Sequence, residues 1–313
     1  MRRLLVPVIA LLALLAVPAA GQAATYGISD QQASTFTNPL FAPLKLKSAR
    51  YIAPYDVMDS PADKAALDSW IAAARASRAR ILVHFERSHT AGQERKLPSV
   101  AKYRSEISKF HAAYPDVKDI GVWNEANRCQ SKNRLAGQPT CKKYQRLASY
   151  YKAARSVFKA KGTNIVALDV LDQRDVTSAL QTIRGFLRYA KPRPKILGFH
   201  NYSDTNRGST TRTKRVLAAW RGDVWLTETG GQVKLGRSLP ANTGRAARAL
   251  KCMFTMGRSF TRIKRLYIYQ FNPAFTANDD FDAGLIERDG SIRPGYTVVR
   301  KRQRGSCSSR VVR

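Results

Sequence analysis

Two glutamates that close short apolar runs are the residues of this sequence best suited to catalysis. Glu125 ends the run Gly-Val-Trp-Asn-Glu at 121–125, and Glu228 ends the run Val-Trp-Leu-Thr-Glu at 224–228. Acidic residues are scarce, 22 against 54 Lys and Arg, so a carboxylate directly after an apolar run is less often a casual surface charge. Two carboxyl groups facing each other across a cleft can cleave a glycosidic bond: one protonates the leaving oxygen while the other attacks the anomeric carbon.

The elements around these glutamates predict an α/β fold. Eight β-branched or aromatic runs alternate with amphipathic stretches, which is typical of parallel strands separated by helices. The predicted strands are 26–29, 50–55, 80–85, 120–124, 164–170, 196–201, 224–227 and 266–270. The predicted helices are 62–77, 99–114, 142–160, 175–190, 211–220 and 242–260, whereas 30–47, with Pro39 and Pro43, is predicted to be mostly loop. Eight such units favour a (β/α)8 TIM barrel, in which active residues follow the C-terminal ends of strands.

The motifs at the fourth and seventh predicted strands resemble a known group of enzymes. Trp-Asn-Glu at 123–125 and Thr-Glu-Thr-Gly at 227–230 are similar to the two signatures of clan A glycoside hydrolases, which are retaining TIM-barrel enzymes. The resemblance implies that Glu125 is the general acid/base and Glu228 the nucleophile. It also implies that Asn124 binds the 2-hydroxyl of the sugar at the cleavage point.

The sixth predicted strand adds His-Asn-Tyr at 200–202, which is similar to the His-x-Tyr pattern of the cellulase-like family in that clan. Strand alternation places His200 and Tyr202 on one face. By the resemblance, Tyr202 hydrogen-bonds the nucleophile and His200 lies near the acid/base. The segment 281–296 resembles the closing segment of many clan members, and His84, near the end of the third strand, is a further candidate for substrate binding.

Two features depart from the cellulase-like pattern. Many members carry an arginine at the end of strand two and a sugar-stacking tryptophan at the end of strand eight. This chain has Tyr55 and Asp56 at the first position, and Tyr-Gln-Phe at 269–271 at the second. We therefore expect Tyr269 or Phe271 to supply the apolar platform for the sugar.

Several other residues have a plainer interpretation. Trp123 is predicted to pack in the core, Glu86 to stay outside the catalytic pair, and Asp169 and Asp172 to be turn or loop residues. Two arginines, Arg128 and Arg207, follow strands four and six. They leave open either a substrate that contains uronic acid or ordinary solvated loop arginines.

The first residues have the layout of a secretory signal peptide. Met-Arg-Arg precedes an apolar run that ends in small residues near Ala24, so we expect cleavage there, export, and one barrel domain over 25–313 with a basic C-terminal tail. An uncleaved membrane anchor is the alternative for this segment; no later stretch is apolar enough to span a membrane. We expect a secreted monomer.

The four cysteines predict disulfides in an oxidising compartment. Three pairings are open, and the favoured one joins Cys129 to Cys141 and Cys252 to Cys307. The formal charge of +32 attracts anionic polymers such as acidic polysaccharide, cell-wall phosphate polymer or nucleic acid, but a basic surface can also serve solubility alone.

Other chemistries lack their motifs. Four histidines without an HExxH pattern give no basis for a metal site, and we expect no cofactor because no glycine-rich dinucleotide or phosphate loop follows a strand. The GxSxG elbow of serine hydrolases is also missing from the sequence.

The sequence therefore predicts a retaining glycosidase acting on a poly- or oligosaccharide by double displacement. This requires Glu125 to be protonated at first, so we expect its surroundings to raise its pKa. Two alternatives remain: a barrel that binds carbohydrate or cell wall without turnover, and a protein whose main role is binding extracellular polyanions.

Overall fold

The structure is a computed structural model that describes residues 24–129, 137–172, 175–274 and 279–307. The predicted signal peptide, except for Ala24, lies outside the described residues. In the described part of the chain, no helix is long and apolar enough to cross a membrane.

Eight parallel strands of the described chain close a barrel in the order β1-β2-β3-β4-β5-β6-β7-β9. This confirms the predicted TIM-barrel fold. The barrel strands are β1 Thr25–Ser29, β2 Ser48–Pro54, β3 Arg80–Glu86, β4 Asp119–Gly121, β5 Asn164–Leu171, β6 Ile196–His200, β7 Asp223–Thr229 and β9 Ile263–Ile268. Two further strands, which the sequence did not predict, form a small antiparallel sheet above the barrel: β8 Lys234–Leu235 and β10 Phe281–Asp282.

Helices connect the strands and cover the outside of the barrel. They are α1 Ser34–Thr37, α2 Pro61–Ala76, α3 Val100–Ala113, α4 Tyr144–Val157, α5 Thr177–Tyr189, α6 Tyr202–Asn206, α7 Thr211–Ala219, α8 Thr243–Ser259 and α9 Pro294–Lys301. The six predicted helices are all present, with ends within three residues of those predicted. Segment 30–47 is mostly loop, as predicted, whereas the short α6 and α9 were not predicted.

Side-chain caps fix where several helices begin. Ser60, Ser99 and Asn242 each accept a hydrogen bond from the backbone N–H three residues later, which satisfies one of the amides left unpaired in a first helical turn. Such caps define the lengths of the loops that reach the top of the barrel.

The barrel lumen has two layers of different polarity. Apolar side chains fill one layer, and a separate, larger core packs between the strands and the surrounding helices. The lumen layer consists of Leu82, Val166, Ile196, Trp225 and Tyr267. The other layer contains buried charged side chains, which form the candidate active site.

Two disulfides fix loops at the periphery. Cys129 pairs with Cys141 across 12 positions in the loop after β4, and Cys252 of α8 pairs with Cys307 across 55 positions. This is the pairing favoured from the sequence. The second disulfide ties the C-terminal segment to α8.

Candidate active site

Glu125 lies just beyond β4 in an unusual backbone conformation. Its φ is 45°, in the left-handed region that costs a non-glycine residue about 1–2 kcal/mol. The surrounding chain holds it there: its N–H donates to Asp169 Oδ1 at 3.3 Å, and its carbonyl accepts from the Arg128 N–H at 2.8 Å. The β4 strand is shorter than predicted because the chain turns at this point to direct Glu125 toward the mouth of the barrel.

Glu228 is the sixth residue of β7, opposite His200 of β6 in the strand register. One carboxylate oxygen of Glu228, one of Glu125 and a ring nitrogen of His200 lie within 4.8 Å of one another. Tyr202 donates its hydroxyl hydrogen bond to Glu228 Oε2 at 3.1 Å. The two predicted catalytic residues, although 103 positions apart, therefore meet at the same end of the barrel.

Arg50 is a site residue that the sequence prediction overlooked. Its fully buried guanidinium donates to Glu228 Oε1 at 2.6 Å, Asn124 Oδ1 at 2.7 Å, His84 Nδ1 at 2.8 Å and Ser29 Oγ at 3.1 Å. The cellulase-like pattern has its arginine at the end of strand two, whereas Arg50 is the third residue of β2 and reaches the site from inside the barrel. A cation in the apolar run Ser-Ala-Arg-Tyr-Ile-Ala-Pro was the signal that could have identified it.

The prediction for Asp169 was wrong. It belongs to the interior of β5, not to a turn, and is fully buried. Its Oδ1 lies 2.9 Å from His200 Nε2, while Oδ2 lies 3.4 Å from His84 Nε2 and accepts from Thr227 Oγ1 at 2.5 Å. The contacts to the two imidazoles are close ion-pair distances without hydrogen-bond geometry. Asp172, in contrast, does follow the end of the strand, as predicted.

Two glycines make room for this polar layer. A Cβ on Gly121 of β4 would lie 1.6 Å from the His84 ring, and a Cβ on Gly198 of β6 would lie 2.3 Å from Asp169 Oδ2. Both are closer than atoms can approach. The barrel therefore accommodates His84 and Asp169 because the facing positions lack side chains.

The two buried histidines carry different charges. Burial, together with the positive charges of Arg50 and His200, lowers the pKa of His84 well below 6.5. His84 is therefore neutral, and since its Nδ1 accepts from Arg50, its proton is on Nε2, facing Asp169. For His200, burial alone would lower the pKa, but the negative charges of Asp169 and Glu228 outweigh burial and raise it to about 10.

The pKa of Glu125 is lowered in this structure, contrary to the expectation of a raised pKa. Burial would raise the pKa of Glu125, but the hydrogen bond with His200 and the positive charges of His200 and Arg128 lower it to about 2. His200 Nδ1 lies 3.2 Å from Glu125 Oε1, and Arg128 Nη1 donates to Oε2 at 2.7 Å. Both carboxylate oxygens of Glu125 thus face a cation.

The charges of the cluster balance with one proton. Three carboxylates, Asp169, Glu125 and Glu228, face two arginines, and the remaining negative charge is offset by the proton on His200. Transfer of that proton from His200 Nδ1 to Glu125 Oε1 over 3.2 Å leaves the total charge unchanged. The site therefore holds a proton one hydrogen-bond distance from the Glu125 carboxylate.

A cleft of about 970 Å³ opens above the glutamates. Its walls come from the loops after β4, β5, β6 and β7 and from the small sheet of β8 and β10. Tyr269 lines the cleft and packs edge-on against Phe281. The cleft is also lined by Arg128, Asp172, Tyr202, Arg207 and Asp280.

The remaining predicted site residues do not line the cleft. Phe271 is fully buried and packs edge-to-face on Phe41, so it is not placed to stack on a sugar. His84 and Asn124 lie beneath the glutamates and are linked to Glu228 through Arg50. Trp123 is fully buried and stacked on Tyr150, in the packing role predicted for it.

The site also has three atoms at a spacing that a metal ion could bridge, contributed by Glu125, His200 and Glu228. However, Arg50 and Arg128 already bind the two carboxylates at 2.6 and 2.7 Å. A divalent cation would have to displace these contacts and lie beside two fixed positive charges. The donor set fits a carboxylate pair held by cations better than it fits a metal centre.

Glu86, the rival carboxylate, is directed elsewhere. Its oxygens contact His89 Nε2 at 3.2 Å and Gln138 Nε2 at 3.0 Å, in the loops beside the cleft. Neither of these contacts joins Glu86 to Glu125 or Glu228.

No protein-family model matches this sequence, and no curated protein matches it either. Solved structures do match. A GH10 endoxylanase retrieved from a sugarcane soil metagenome is 14% identical, with a TM-score of 0.63 over 89% of this chain and 96% of that chain. A GH5_18 protein from Streptomyces cattleya in complex with GlcNAc is 13% identical, with a TM-score of 0.65 over 90% of this chain and 80% of that chain. A fungal β-1,4-galactanase is 11% identical, with a TM-score of 0.65 over 90% of this chain and 100% of that chain. At these identities the similarity establishes a shared barrel fold.

Proposed function

We propose that this protein is a retaining glycoside hydrolase that cleaves O-glycosidic bonds of a poly- or oligosaccharide. The observation that carries the proposal is the approach of Glu125 and Glu228, whose nearest oxygens lie within 4.8 Å at the top of the barrel. Retaining enzymes hold their carboxyl groups about 5–5.5 Å apart, whereas inverting enzymes leave about 6.5–9.5 Å for a water. The structural neighbours described as xylanase and galactanase support the same reaction class.

In the first step, Glu228 attacks the anomeric carbon and forms a glycosyl ester, while Glu125 protonates the departing oxygen. Arg50 and Tyr202 hold the Glu228 carboxylate by one hydrogen bond to each oxygen. Burial and the negative charge of Glu228 raise the pKa of Tyr202 well above 10, so its hydroxyl stays a donor. These two contacts orient the nucleophile toward the cleft.

The proton for the leaving group comes from His200 in this proposal. Before bond cleavage it moves from Nδ1 of His200 to Oε1 of Glu125, and then to the leaving sugar. In the second step, Glu125 takes a proton from water as the hydroxide attacks the anomeric carbon, and Glu228 departs as a carboxylate. That proton can return to His200, which restores the starting state.

We expect both Glu228→Gly and Glu125→Ala to lower the turnover of a cleaved substrate. The first substitution removes the nucleophile and the second removes the acid/base. Loss of the nucleophile should cost about 10⁴-fold or more in kcat, and loss of the acid/base about 10²–10⁴-fold. With an aryl glycoside, whose phenol leaves without protonation, added azide should restore turnover in both variants. The glycosyl azide should have inverted configuration with Glu228→Gly and retained configuration with Glu125→Ala, as measured by NMR of the product.

A panel of plant and cell-wall polysaccharides identifies the sugar from which the aryl glycoside is made, and thermal unfolding is the control for folding. Full activity in either folded variant would refute the assignment of roles. A wild-type protein whose melting temperature rises with a polysaccharide that it never hydrolyses would instead be a carbohydrate-binding barrel.

We also propose that the protein acts outside the cell as a single-domain monomer of residues 25–313. The apolar leader pattern at 1–24 supports export, and the two disulfides are compatible with an oxidising compartment. Sequencing the N-terminus of the protein recovered from culture medium tests cleavage near Ala24.

A further inference from the structure

The cleft carries two arginines in addition to the buried Arg50. Arg128 follows β4, has a 39% exposed side chain, and donates to Glu125 at 2.7 Å. Arg207 directly follows α6 and is exposed at the same cleft. Within the described part of the chain, no acidic group pairs with the Arg207 guanidinium.

The acidic residues of the wall do little to offset these cations. Asp172 is buried in the cleft wall, where its Oδ2 accepts from the Ser203 and Asp204 N–H groups at 2.8 and 3.3 Å. Burial and the neighbouring charge of Asp204 raise the pKa of Asp172 to about 8, so it is neutral at pH 7. Apart from Asp172 and the two catalytic candidates, Asp280 is the remaining acid of the lining, and it is exposed at the rim.

The contact between Arg128 and Glu125 conflicts with general acid catalysis. A guanidinium at 2.7 Å favours the carboxylate form of Glu125, whereas bond cleavage needs the protonated form. A negatively charged group of the substrate would resolve the conflict by accepting hydrogen bonds from the same guanidinium. Guanidinium groups bind carboxylate, sulfate and phosphate through paired hydrogen bonds.

We propose that the substrate carries an acidic substituent on the sugar that Glu125 protonates as a leaving group, and that Arg128 and Arg207 bind this substituent. The inference rests on the proposed glycosidase function and adds the substrate class. When the substituent neutralises Arg128, the affinity of Glu125 for the proton on His200 rises. A substrate with the correct charge thus produces the acid form, and a neutral substrate does so poorly.

The test compares polymers that differ only in charge. Glucuronoxylan and polygalacturonate are assayed beside the same polymers after chemical reduction of their carboxyl groups, and a sulfated galactan beside its desulfated form. The wild-type protein should cleave at least one charged polymer with a kcat/KM about 10–100-fold above its neutral counterpart, the range for a charge-assisted hydrogen bond. The pair that shows the ratio identifies carboxylate or sulfate.

Variants separate the two arginines from the general basic charge of the protein. Arg207→Gln and Arg128→Gln should each lower the charged-to-neutral ratio about 10-fold or more. Arg184→Gln, an exposed position on α5, removes the same charge far from the described cleft contacts and should leave the ratio unchanged.

Calorimetry on Glu228→Gln measures the affinities for the charged and the neutral polymers, so that binding is compared without turnover. Equal affinity and equal kcat/KM for charged and neutral polymers, or an unchanged ratio in Arg207→Gln, would overturn the inference and leave a glycosidase of neutral sugars. Charge-selective binding that depends on Arg207, with no hydrolysis of any polymer by the wild-type protein, would support the acidic ligand and refute the glycosidase.

Discussion

Asp169 is the carboxylate on which the two buried histidines converge. It lies between His200 and His84 and also accepts from Thr227, so its position depends on four strands of the barrel. Burial would raise the pKa of Asp169, but the positive charges of His200 and Arg50 lower it. We regard it as a positioning residue that acts through His200, not as a group that contacts the sugar.

Asp169→Asn should shift the alkaline limb of the kcat/KM profile toward acid by at least about one pH unit, the size of shift that a neighbouring charge commonly causes. With Asn, the charges of two carboxylates equal those of two arginines, so the cluster is neutral without the proton on His200. His200 therefore releases that proton at lower pH. The alkaline limb reports the acid of the free enzyme. The measurement is initial rate against pH on a substrate found in the panel.

Asp169→Asn should also lower the free energy of unfolding by about 3–5 kcal/mol, the cost of removing one partner of a buried ion pair. Asp116→Asn, which removes a carboxylate paired with Arg75 on the exposed surface, is the matched control and should change neither quantity appreciably. An unchanged alkaline limb in a folded Asp169→Asn protein would argue against the stored-proton arrangement.

At the scale of elements, strands β4 and β6 each have a glycine where a side chain would enter the site. Gly121 and Gly198 leave space for the His84 ring and the Asp169 carboxylate inside the barrel. Small residues at these points allow a polar layer to lie above the apolar lumen layer. The inward positions of neighbouring strands are therefore matched in size as well as in charge.

Gly198→Ala should disturb the site from within the sheet. The added methyl group would lie 2.3 Å from Asp169 Oδ2 and 2.9 Å from Thr227 Oγ1, so Asp169 must move. We expect a loss of about 1–3 kcal/mol in the free energy of unfolding, as for other overpacked cores, together with reduced kcat. Urea unfolding and initial rates measure the two effects.

Gly244→Ala is the control for Gly198→Ala, because it adds the same methyl group in the first turn of α8. There the nearest atom lies 3.5 Å away, and alanine favours the helix. This variant should be as stable as the wild-type protein or slightly more so. Equal stability of the two alanine variants would mean that the barrel layer adjusts more freely than the packing indicates.

At the scale of the whole molecule, stability should fall as pH rises above 6.5. His200 and His89 have pKa values raised from 6.5 to about 10 and about 9, His89 mainly by its contact with Glu86. The folded chain keeps these protons over a range in which the unfolded chain releases them, so their contributions are complete below pH 6.5 and are lost as pH approaches 9–10. The pKa of Asp172 is raised to about 8, because the folded protein disfavours its charged form. Its ionisation therefore also lowers the free energy of unfolding as pH rises.

On the acid side the sign is reversed. The pKa of Glu125 is lowered from 4.5 to about 2, so its stabilising contribution is present above pH 4.5 and is lost as pH falls through 2. His84 is neutral in the folded protein, whereas the unfolded chain binds a proton at this residue below pH 6.5. Acid therefore lowers the free energy of unfolding at this residue too. The urea midpoint should thus be highest between about pH 4.5 and 6.5, and a midpoint that rises from pH 6.5 to 9 would contradict the buried charge arrangement.

The charge of +32 also acts at this scale. A strongly basic molecule concentrates polyanions near its surface at low salt, whichever residues touch them. The same field would draw an acidic polysaccharide toward the cleft, where Arg128 and Arg207 lie. Surface attraction should weaken equally in Arg207→Gln and Arg184→Gln. Recognition in the cleft should weaken more in Arg207→Gln.

The sequence by itself determined the barrel, the positions of both glutamates and the favoured disulfides. These features have local signals: alternation of strand and helix patterns, a carboxylate after an apolar run, and cysteines whose spacing suits a loop. His200 and Tyr202 were predicted together from the local motif at 200–202, although Tyr202 begins α6 and does not extend β6. The small sheet of β8 and β10 was missed because each strand has only two residues.

The tertiary structure decided which charges meet inside the barrel. Arg50 and Glu228 are 178 positions apart, and Asp169 and Thr227 are 58 apart, so no local pattern encodes either contact. The register of eight strands sets these distances, and the charges at these distances lower the pKa of Glu125 and raise that of His200. Phe271 likewise had the right residue type for a sugar platform, but the direction of the chain after β9 buried it against Phe41. Residue type and spacing indicate which groups can react, whereas ionisation depends on through-space neighbours that only the closed barrel brings together.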